Sequence, residues 1–133
     1  MDSIDKKILQ ALQTDCSGSV AEIAERAGVT QTPCWRRIKK LEEMGYIDKR
    51  VALLDQKALN LRLTAYVMVK TSQHDQQWLT KFSDGVHDIP EIVEIHRMAG
   101  DIDYLLKIVA EDMAEYDRIY KNLIRVAELS DVS

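Results

Sequence analysis

The 133-residue chain is short of cysteine and of long apolar runs, and each shortage excludes a class of protein. Its two cysteines, Cys16 and Cys34, lack the spacing of metal ligands and indicate no disulfide framework. No segment approaches the roughly 18 consecutive apolar residues of a membrane span, and no signal peptide opens the chain. The reducing cytoplasm is therefore the predicted location.

Sequence patterns typical of enzymes are also missing. The chain has no nucleophile elbow, no phosphate-binding loop and no paired catalytic carboxylates. Its three histidines, His74, His87 and His96, are scattered and have no cysteine close by in sequence, so they predict no metal site. An enzyme and a bound cofactor are therefore not expected.

The chain does contain enough apolar residues, 46%, for a hydrophobic core, and its charge is unevenly distributed. The net charge is −4, which is unusual for a protein that binds a polyanion. Residues 1–50 hold nine Lys/Arg and eight Asp/Glu, whereas residues 51–133 hold nine and fourteen. The excess acid lies in the second part, so the first part can still present a local cationic surface.

Residues 20–45 predict a helix-turn-helix. An apolar-periodic segment ends at Gly28, a residue type typical of helix ends. Thr30 is a good N-cap for a second helix, and Pro33 falls in the first turn of that helix, where its missing N–H breaks no hydrogen bond. The apolar side of the second helix comprises Cys34, Ile38, Leu41 and Met44.

The opposite side of this second helix carries cations and short polar residues, as in a helix that reads DNA. Short polar side chains at the N-terminal end would meet base edges, and the arginines and lysines would meet phosphates. The alternative is an ordinary helical hairpin with a solvated charged side, but four cations without an acid between Gln31 and Lys40 favour nucleic acid. The predicted DNA-binding residues are Thr30, Gln31, Thr32, Pro33, Trp35, Arg36, Arg37, Lys39, Lys40 and Arg50.

A first helix, with Asp2 or Ser3 as its N-cap, is predicted to complete a three-helix core. After the helix-turn-helix, the β-prone stretch from Lys49 to Leu54 fits either a wing-like strand or a plain connector. Charge balance and periodicity change near residue 60. The sequence therefore predicts a DNA-binding domain at 1–60 and a second domain at 61–133.

The second domain shows strand–helix–strand, a tight turn, then strand–helix, the order of a ferredoxin-like βαββαβ fold. The first strand, at 63–70, is apolar on both faces, as in a buried strand. A fourth strand would begin at 130–133, so the fold is predicted to lack its last strand and to have an open sheet edge that favours association. The remaining predicted elements are a helix at 76–86, strands at 91–98 and 103–110, and a helix that Asp112 caps.

The turn from Gly100 to Tyr104, Gly-Asp-Ile-Asp-Tyr, allows two interpretations. It is either a polar hairpin turn, since turns favour these residue types, or part of a small-ligand pocket. In the second case glycine would let backbone N–H groups approach a carboxylate, and an aspartate would accept an ammonium group. Composition does not separate the two.

Four stretches make the sequence resemble the Lrp/AsnC family of transcription regulators along its full length. They are IDKKILQALQTD, TQTPCWRRIKKLEEMGYI, VALLD and RMAGDIDYLLKI. The TPCW form is similar to the DecR (YbaO)-like branch, which is associated with cysteine sensing. The departure from the family pattern is the C-terminus, where the last strand and tail have no counterpart after Ser133.

The resemblance implies an α+β protein, with an N-terminal winged helix-turn-helix and a ferredoxin-like (RAM-type) domain for effector binding and oligomerisation. It implies a transcription regulator at the nucleoid that binds double-stranded operator DNA and forms a dimer, tetramer or octamer. The effector would be a small molecule such as an amino acid, with cysteine among the candidates. The alternative function is an amino-acid-binding assembly module that does not contact DNA. The effector residues that the resemblance implies are Met98, Gly100, Asp101, Asp103 and Tyr104.

Overall fold

The computed structural model describes residues 1–72 and 74–126, together with a short strand at 131–132. It divides into two compact units, Met1–Leu53 and Leu54–Ser133. None of the helices in the described residues is long and apolar enough to cross a membrane. Each unit has its own hydrophobic core, as expected for separate domains.

The first unit consists of three helices, α1 (Ser3–Thr14), α2 (Val20–Ala27) and α3 (Gln31–Glu43). The sequence predicts all three, because apolar residues recur at helical spacing in each. Their apolar sides meet in one core, which therefore needs all three helices. The buried residues of this core are Ile8, Ala11, Ile23, Ala24, Ala27, Cys34, Ile38 and Leu41.

The ends of these helices are fixed by local hydrogen bonds. Asp2 and Asp5 form a capping box, in which the carboxylate of each accepts from the backbone N–H of the other. Gly28 ends α2 with φ at +73°, where glycine avoids the strain that a Cβ would cause. Thr30 occupies the N-cap position of α3, but its side chain makes no capping hydrogen bond within the described chain.

Residues 47–55 follow α3 as an irregular connector and form no strand. Of the two alternatives for this stretch, the connector is the one observed, so the helix-turn-helix has no wing strand in the described unit. A strand needs a hydrogen-bonded neighbour, which a unit of three helices does not supply. The turn at 55–60, which the sequence assigns to the first domain, falls in the second unit. There Gln56 Nε2 donates to Thr64 Oγ1 over 2.7 Å.

The second unit is an antiparallel sheet with two helices. Its elements are β1 (Leu63–Lys70), α4 (Gln76–His87), β2 (Ile92–Arg97), β3 (Tyr104–Ala110), α5 (Met113–Val126) and β4 (Asp131–Val132). The strands lie in the order β2-β3-β1-β4, as the ferredoxin-like prediction requires.

The short strand β4 lies where the sequence predicts that a fourth strand begins. It pairs antiparallel with β1, opposite Val69 and Lys70. Two residues of the strand that the sequence predicts to be missing are therefore present in the sheet. Residues 130 and 133 of that prediction lie outside the described part of the chain.

The sheet packs its helices on one face. Val67, Leu106 and Ile108 lie on that face and are each no more than 1% exposed, together with the buried Trp78 of α4. β1 is therefore not buried on both faces as predicted, because its alternate residues point away from the helices, and Tyr66 is 60% exposed. The other face, called the open sheet face below, comprises Thr64, Tyr66, Met68, Glu94, His96, Leu105, Lys107 and Val109.

Candidate nucleic-acid interface and effector turn

The apolar side of α3 anchors this helix in the core and leaves the opposite side to solvent. Cys34, Ile38 and Leu41 are each no more than 3% exposed, whereas Met44, also predicted for the apolar side, caps the helix and is 57% exposed. Burial raises the pKa of the Cys34 thiol, so the thiol stays neutral at pH 7 and packs as an apolar group. The opposite side, called the cationic face below, comprises Gln31, Thr32, Trp35, Arg36, Lys39 and Lys40, all exposed.

The N-terminal end of α3 presents short polar side chains to solvent. Gln31 and Thr32 are exposed, and the hydroxyl of Thr30 is not used for capping within the described chain. Pro33 is exposed in the first turn, where its missing N–H removes no helical hydrogen bond. These side chains are accessible to base edges or to another polar partner.

Two cations of the cationic face make no ion pair with any residue that the structure describes, namely Arg36 and Lys40. A third, Lys39, lies with its Nζ 5.8 Å from the ring centre of Trp35, which is a cation–π distance. Trp35 is 50% exposed. The face therefore combines free positive charge with an accessible aromatic ring.

Arg37, in contrast, is bound to the N-terminal end of α1. Its Nη1 lies 2.8 and 2.7 Å from the two carboxylate oxygens of Asp2 and 3.0 Å from Oδ1 of Asp5. The hydrogen bond to Asp2 is the largest cause that raises the pKa of Arg37, and it is also the largest cause that lowers the pKa of Asp2. Arg37 therefore joins α3 to α1, a contact that the sequence pattern does not predict.

Arg50 lies in the connector after α3 and contacts an acid of that helix. Its Nη2 is 3.1 Å from Oε1 of Glu42. The Nζ of Lys39 is 3.9 Å from Oε2 of the same carboxylate. One carboxylate thus holds a cation of the connector close to a cation of the helix.

The turn that the sequence predicts as an effector site closes the β2–β3 hairpin. Gly100 has φ at +94°, which favours glycine, and the Met98 N–H donates to the Asp103 carbonyl over 2.9 Å. Oδ2 of Asp103 accepts from the backbone N–H of Thr71 at 2.8 Å. Nδ1 of His74 lies 4.0 Å from the other carboxylate oxygen. Both oxygens of Asp103 thus face other parts of this chain.

The remaining predicted effector residues do not all lie together. The Asp101 side chain is exposed and makes no ion pair or hydrogen bond within the described chain, and Met98 is 41% exposed. Tyr104 lies on the helix side of the sheet, with its ring centre 5.0 Å from that of Phe82 and 6.5 Å from that of Trp78. Asp101 is therefore the carboxylate of this turn that has room for an ammonium group.

A cleft of 390 Å³ lies between α4 and the sheet. Of the five predicted effector residues, Tyr104 lines it. The sequence carries little signal for the other residues that line the cleft. Polar residues along α4 are what any solvated helix shows, and apolar residues are what any core-facing side shows. The lining residues that the sequence analysis does not predict are Gln76, Leu79, Thr80, Phe82, Ser83, Asp84 and Ile95.

Comparison with known proteins gives a match for each part of the chain. Residues 1–42 match the AsnC-type helix-turn-helix domain, and residues 64–133 match the Lrp/AsnC ligand binding domain. The chain is 44% identical over 133 residues to the glutamate uptake regulatory protein of Zymomonas mobilis, covering 100% of this chain and 81% of that protein. It is 44% identical over 134 residues to the DNA-binding transcriptional activator DecR of Escherichia coli, covering 100% and 88%.

Solved structures match the fold over the full length of the chain. The AsnC family transcriptional regulator from Agrobacterium tumefaciens gives a TM-score of 0.93 at 49% identity, covering 100% of this chain and 87% of that one. A transcriptional regulator from Neisseria meningitidis, solved as a complex with L-Met, gives a TM-score of 0.91 at 29% identity, covering 100% and 86%. The helix-turn-helix and the sheet thus follow each other in the same order in these proteins.

Proposed function

The chain belongs to the Lrp/AsnC family of DNA-binding transcription regulators, and from this membership we propose a specific function. It binds particular DNA sequences, responds to an amino acid and acts as a dimer or a larger oligomer in the cytoplasm, at the nucleoid. The observation that carries the DNA-binding part is the cationic face of α3, which the helix-turn-helix holds outside its core.

In this proposal α3 lies in a DNA major groove. Gln31 and Thr32 read base edges, and Trp35 offers its ring to a thymine methyl group or a sugar. Thr30 and Pro33 lie at the same end of the helix and complete the contact. The proposed phosphate anchors are Arg36, Lys39, Lys40 and Arg50.

The structure supports a different role for Arg37. The sequence pattern assigns it to DNA phosphates, but its Nη1 already contacts three carboxylate oxygens of Asp2 and Asp5. A phosphate could recruit this guanidinium only in exchange for charge-assisted hydrogen bonds. We therefore assign Arg37 to positioning, in which it fixes α3 against α1.

The open sheet face supports the proposed dimer. Tyr66 and Met68 are 60% and 42% exposed, and Leu105 and Val109 lie beside them. An exposed apolar patch of this kind is typical of an interaction surface. A two-fold dimer contains two α3 helices, which suits the paired half-sites that dimeric helix-turn-helix proteins bind.

The Gly100 turn is proposed as part of the amino-acid site. Asp101 pairs with the ammonium group, while Asp103 holds the shape of the turn through Thr71. Met98 and Tyr104 flank the turn in sequence. Two relatives support an amino-acid effector: the Neisseria meningitidis regulator was solved with L-Met, and the Zymomonas mobilis protein is named for glutamate uptake.

Fluorescence anisotropy with DNA from upstream of the protein's own gene tests both parts. Binding is titrated with salt and with each of the twenty amino acids. Each phosphate that the proposed anchors neutralise should contribute about −0.9 per subunit to the slope of log affinity against log salt. An amino acid that shifts the curve identifies the effector. Amino-acid binding without DNA binding at low salt would overturn the proposal in favour of an assembly module.

Two variants separate base reading from phosphate binding. Gln31→Ala should relax the preference for the upstream sequence over unrelated DNA. Arg36→Ala should weaken binding to all sequences and make the salt slope about 0.9 less steep. The reverse pattern would mean that another side of α3 enters the groove.

A further inference from the structure

Two of the four proposed phosphate anchors meet at one carboxylate of their own chain. Arg50 Nη2 lies 3.1 Å from one oxygen of Glu42, and Lys39 Nζ lies 3.9 Å from the other. The side chains of Lys39 and Arg50 are 53% and 47% exposed, and that of Glu42 is 35% exposed. The cluster is therefore open to a ligand from solvent.

The chemistry of this cluster is that of an anion site occupied by an internal anion. A carboxylate and a backbone phosphate both present two anionic oxygens, and both accept from arginine and lysine. The two cations come from different segments, α3 and the connector, and the cluster lies where the connector approaches α3. Exposed ion pairs of this kind are weak, so an incoming phosphate can replace the carboxylate.

Building on the proposed function, we propose that Lys39 and Arg50 bind one backbone phosphate of DNA together, and that this phosphate displaces Glu42. Glu42 then acts as an internal competitor that lowers the affinity for all DNA sequences. In the free protein it pairs with both anchors, and these ion pairs must break before the phosphate can bind.

The neighbouring residue Glu43 supplies a matched control. It lies on the same helix, is exposed and makes no ion pair with any residue in the described part of the chain. Glu42→Gln and Glu43→Gln therefore make the same change in net charge, and only the first breaks the cluster. Any difference between them measures the competition rather than the general loss of negative charge.

The test is anisotropy with the upstream DNA for the full chain and both variants, across a salt series. Glu42→Gln should bind about two- to fivefold more tightly per subunit than Glu43→Gln at low salt, the range expected from releasing an exposed ion pair. The salt slopes of the two variants should be equal, because the same phosphate is neutralised in both. Equal affinities for the two variants would overturn the inference.

A second pair of variants tests whether the gain acts through the cations. In an Arg50→Met, Lys39→Met background, Glu42→Gln should give no higher affinity than Glu43→Gln. Neither of the two cations that pair with Glu42 is then present. A gain that persists there would overturn the inference and assign the effect to simple repulsion of DNA by Glu42.

The proposed function and this inference fail in different ways. If the unaltered chain does not bind the DNA at low salt, both are overturned. If it binds with a steep salt dependence and the two glutamate variants have equal affinity for DNA, the DNA-binding function is supported and only the role of Glu42 is overturned.

Discussion

The two units of this chain present their candidate functional residues in opposite ways. In Met1–Leu53 the proposed DNA contacts come almost entirely from α3, and those side chains are absent from the buried core. In Leu54–Ser133 the proposed effector turn is bound to the rest of the unit, since Asp103 accepts a hydrogen bond from the backbone N–H of Thr71. The proposed functional residues are therefore largely separate from the folding core in the first unit, whereas the proposed turn of the second unit combines a structural carboxylate, Asp103, with an exposed one, Asp101.

The two cores also differ in composition. The buried residues of the helix-turn-helix core are aliphatic, apart from Cys34. The sheet core contains Trp78 stacked on Phe82, with ring centres 4.9 Å apart and an interplanar angle of 10°. Tyr104 packs against both rings and is also the last residue of the effector turn. A change at the turn can thus reach the sheet core through one aromatic residue.

The largest effects should come from core truncations, which test whether the two units unfold separately. Ile38→Ala and Leu106→Ala each remove a side chain that is at most 3% exposed, and each should lower the free energy of unfolding of its own unit by about 2–5 kcal/mol. Trp35 and Trp78 lie one in each unit. Fluorescence of variants in which one tryptophan is changed to phenylalanine therefore reports each transition. A shift of both transitions by either truncation would show that the two units do not unfold separately.

A smaller loss of stability is expected at the proposed effector turn. Asp103→Ala removes the acceptor for the Thr71 N–H and should lower the free energy of unfolding by about 1–3 kcal/mol. Asp101→Ala should leave stability within about 0.5 kcal/mol, since its side chain is exposed, but should weaken amino-acid binding. Urea denaturation and calorimetric titration measure the two quantities. Equal losses of stability would show that the whole turn is structural.

A smaller effect is expected where α4 approaches α5. A Cβ at Gly85 would lie 1.8 Å from Cγ1 of Val126, so Gly85→Ala forces the two helices to adjust. The net loss should be up to about 2 kcal/mol, because overpacking is partly offset by the better helix propensity of alanine. Thermal unfolding followed through Trp78 measures this loss, and adding Val126→Ala should recover part of it. A stabilised Gly85→Ala variant would show that the contact is not tight.

The smallest effect is a pH dependence confined to the helix-turn-helix. The hydrogen bond from Arg37 is the largest cause that holds the pKa of Asp2 below the ordinary aspartate value of 3.8. The stability that this contact contributes is thus complete above that value and is lost as the pH falls through the lower, folded-state pKa. Asp2→Asn keeps a good N-cap but weakens the ion pair, so it should be less stable than the unaltered chain at pH 6.

As the pH falls through the lowered folded-state pKa of Asp2, the two chains should converge in stability, because Asp2 becomes protonated. Denaturation followed through Trp35 at a series of pH values measures the difference. Asp48→Asn is the control, since Asp48 is an exposed acid with no ion pair in the described part of the chain. A difference that stays constant with pH would exclude the ion pair as its cause.

Much of the fold depends on residues close together in sequence and could be predicted from the sequence. The capping by Asp2, the end of α2 at Gly28 and the apolar spacing of Cys34, Ile38 and Leu41 depend on residues a few positions apart. The order of strands and helices in the second unit follows from periodicity in the same way. The hydrogen-bonded neighbours of a strand are not local, and the wing alternative for 49–54 depended on them.

Local sequence patterns specify the helices, the order of strands and helices along the chain and the stretch of α3 that carries the cations. Which of these cations face solvent depends on tertiary contacts, because Arg36 and Arg37 are neighbours in sequence but point about 100° apart around the helix. One of them is exposed, and the other reaches Asp2, 35 positions away. Likewise, only the folded sheet separated Asp103, bound to Thr71, from the exposed Asp101. Such contacts join residues distant in sequence, and no local pattern encodes which groups the folded chain brings within hydrogen-bonding distance.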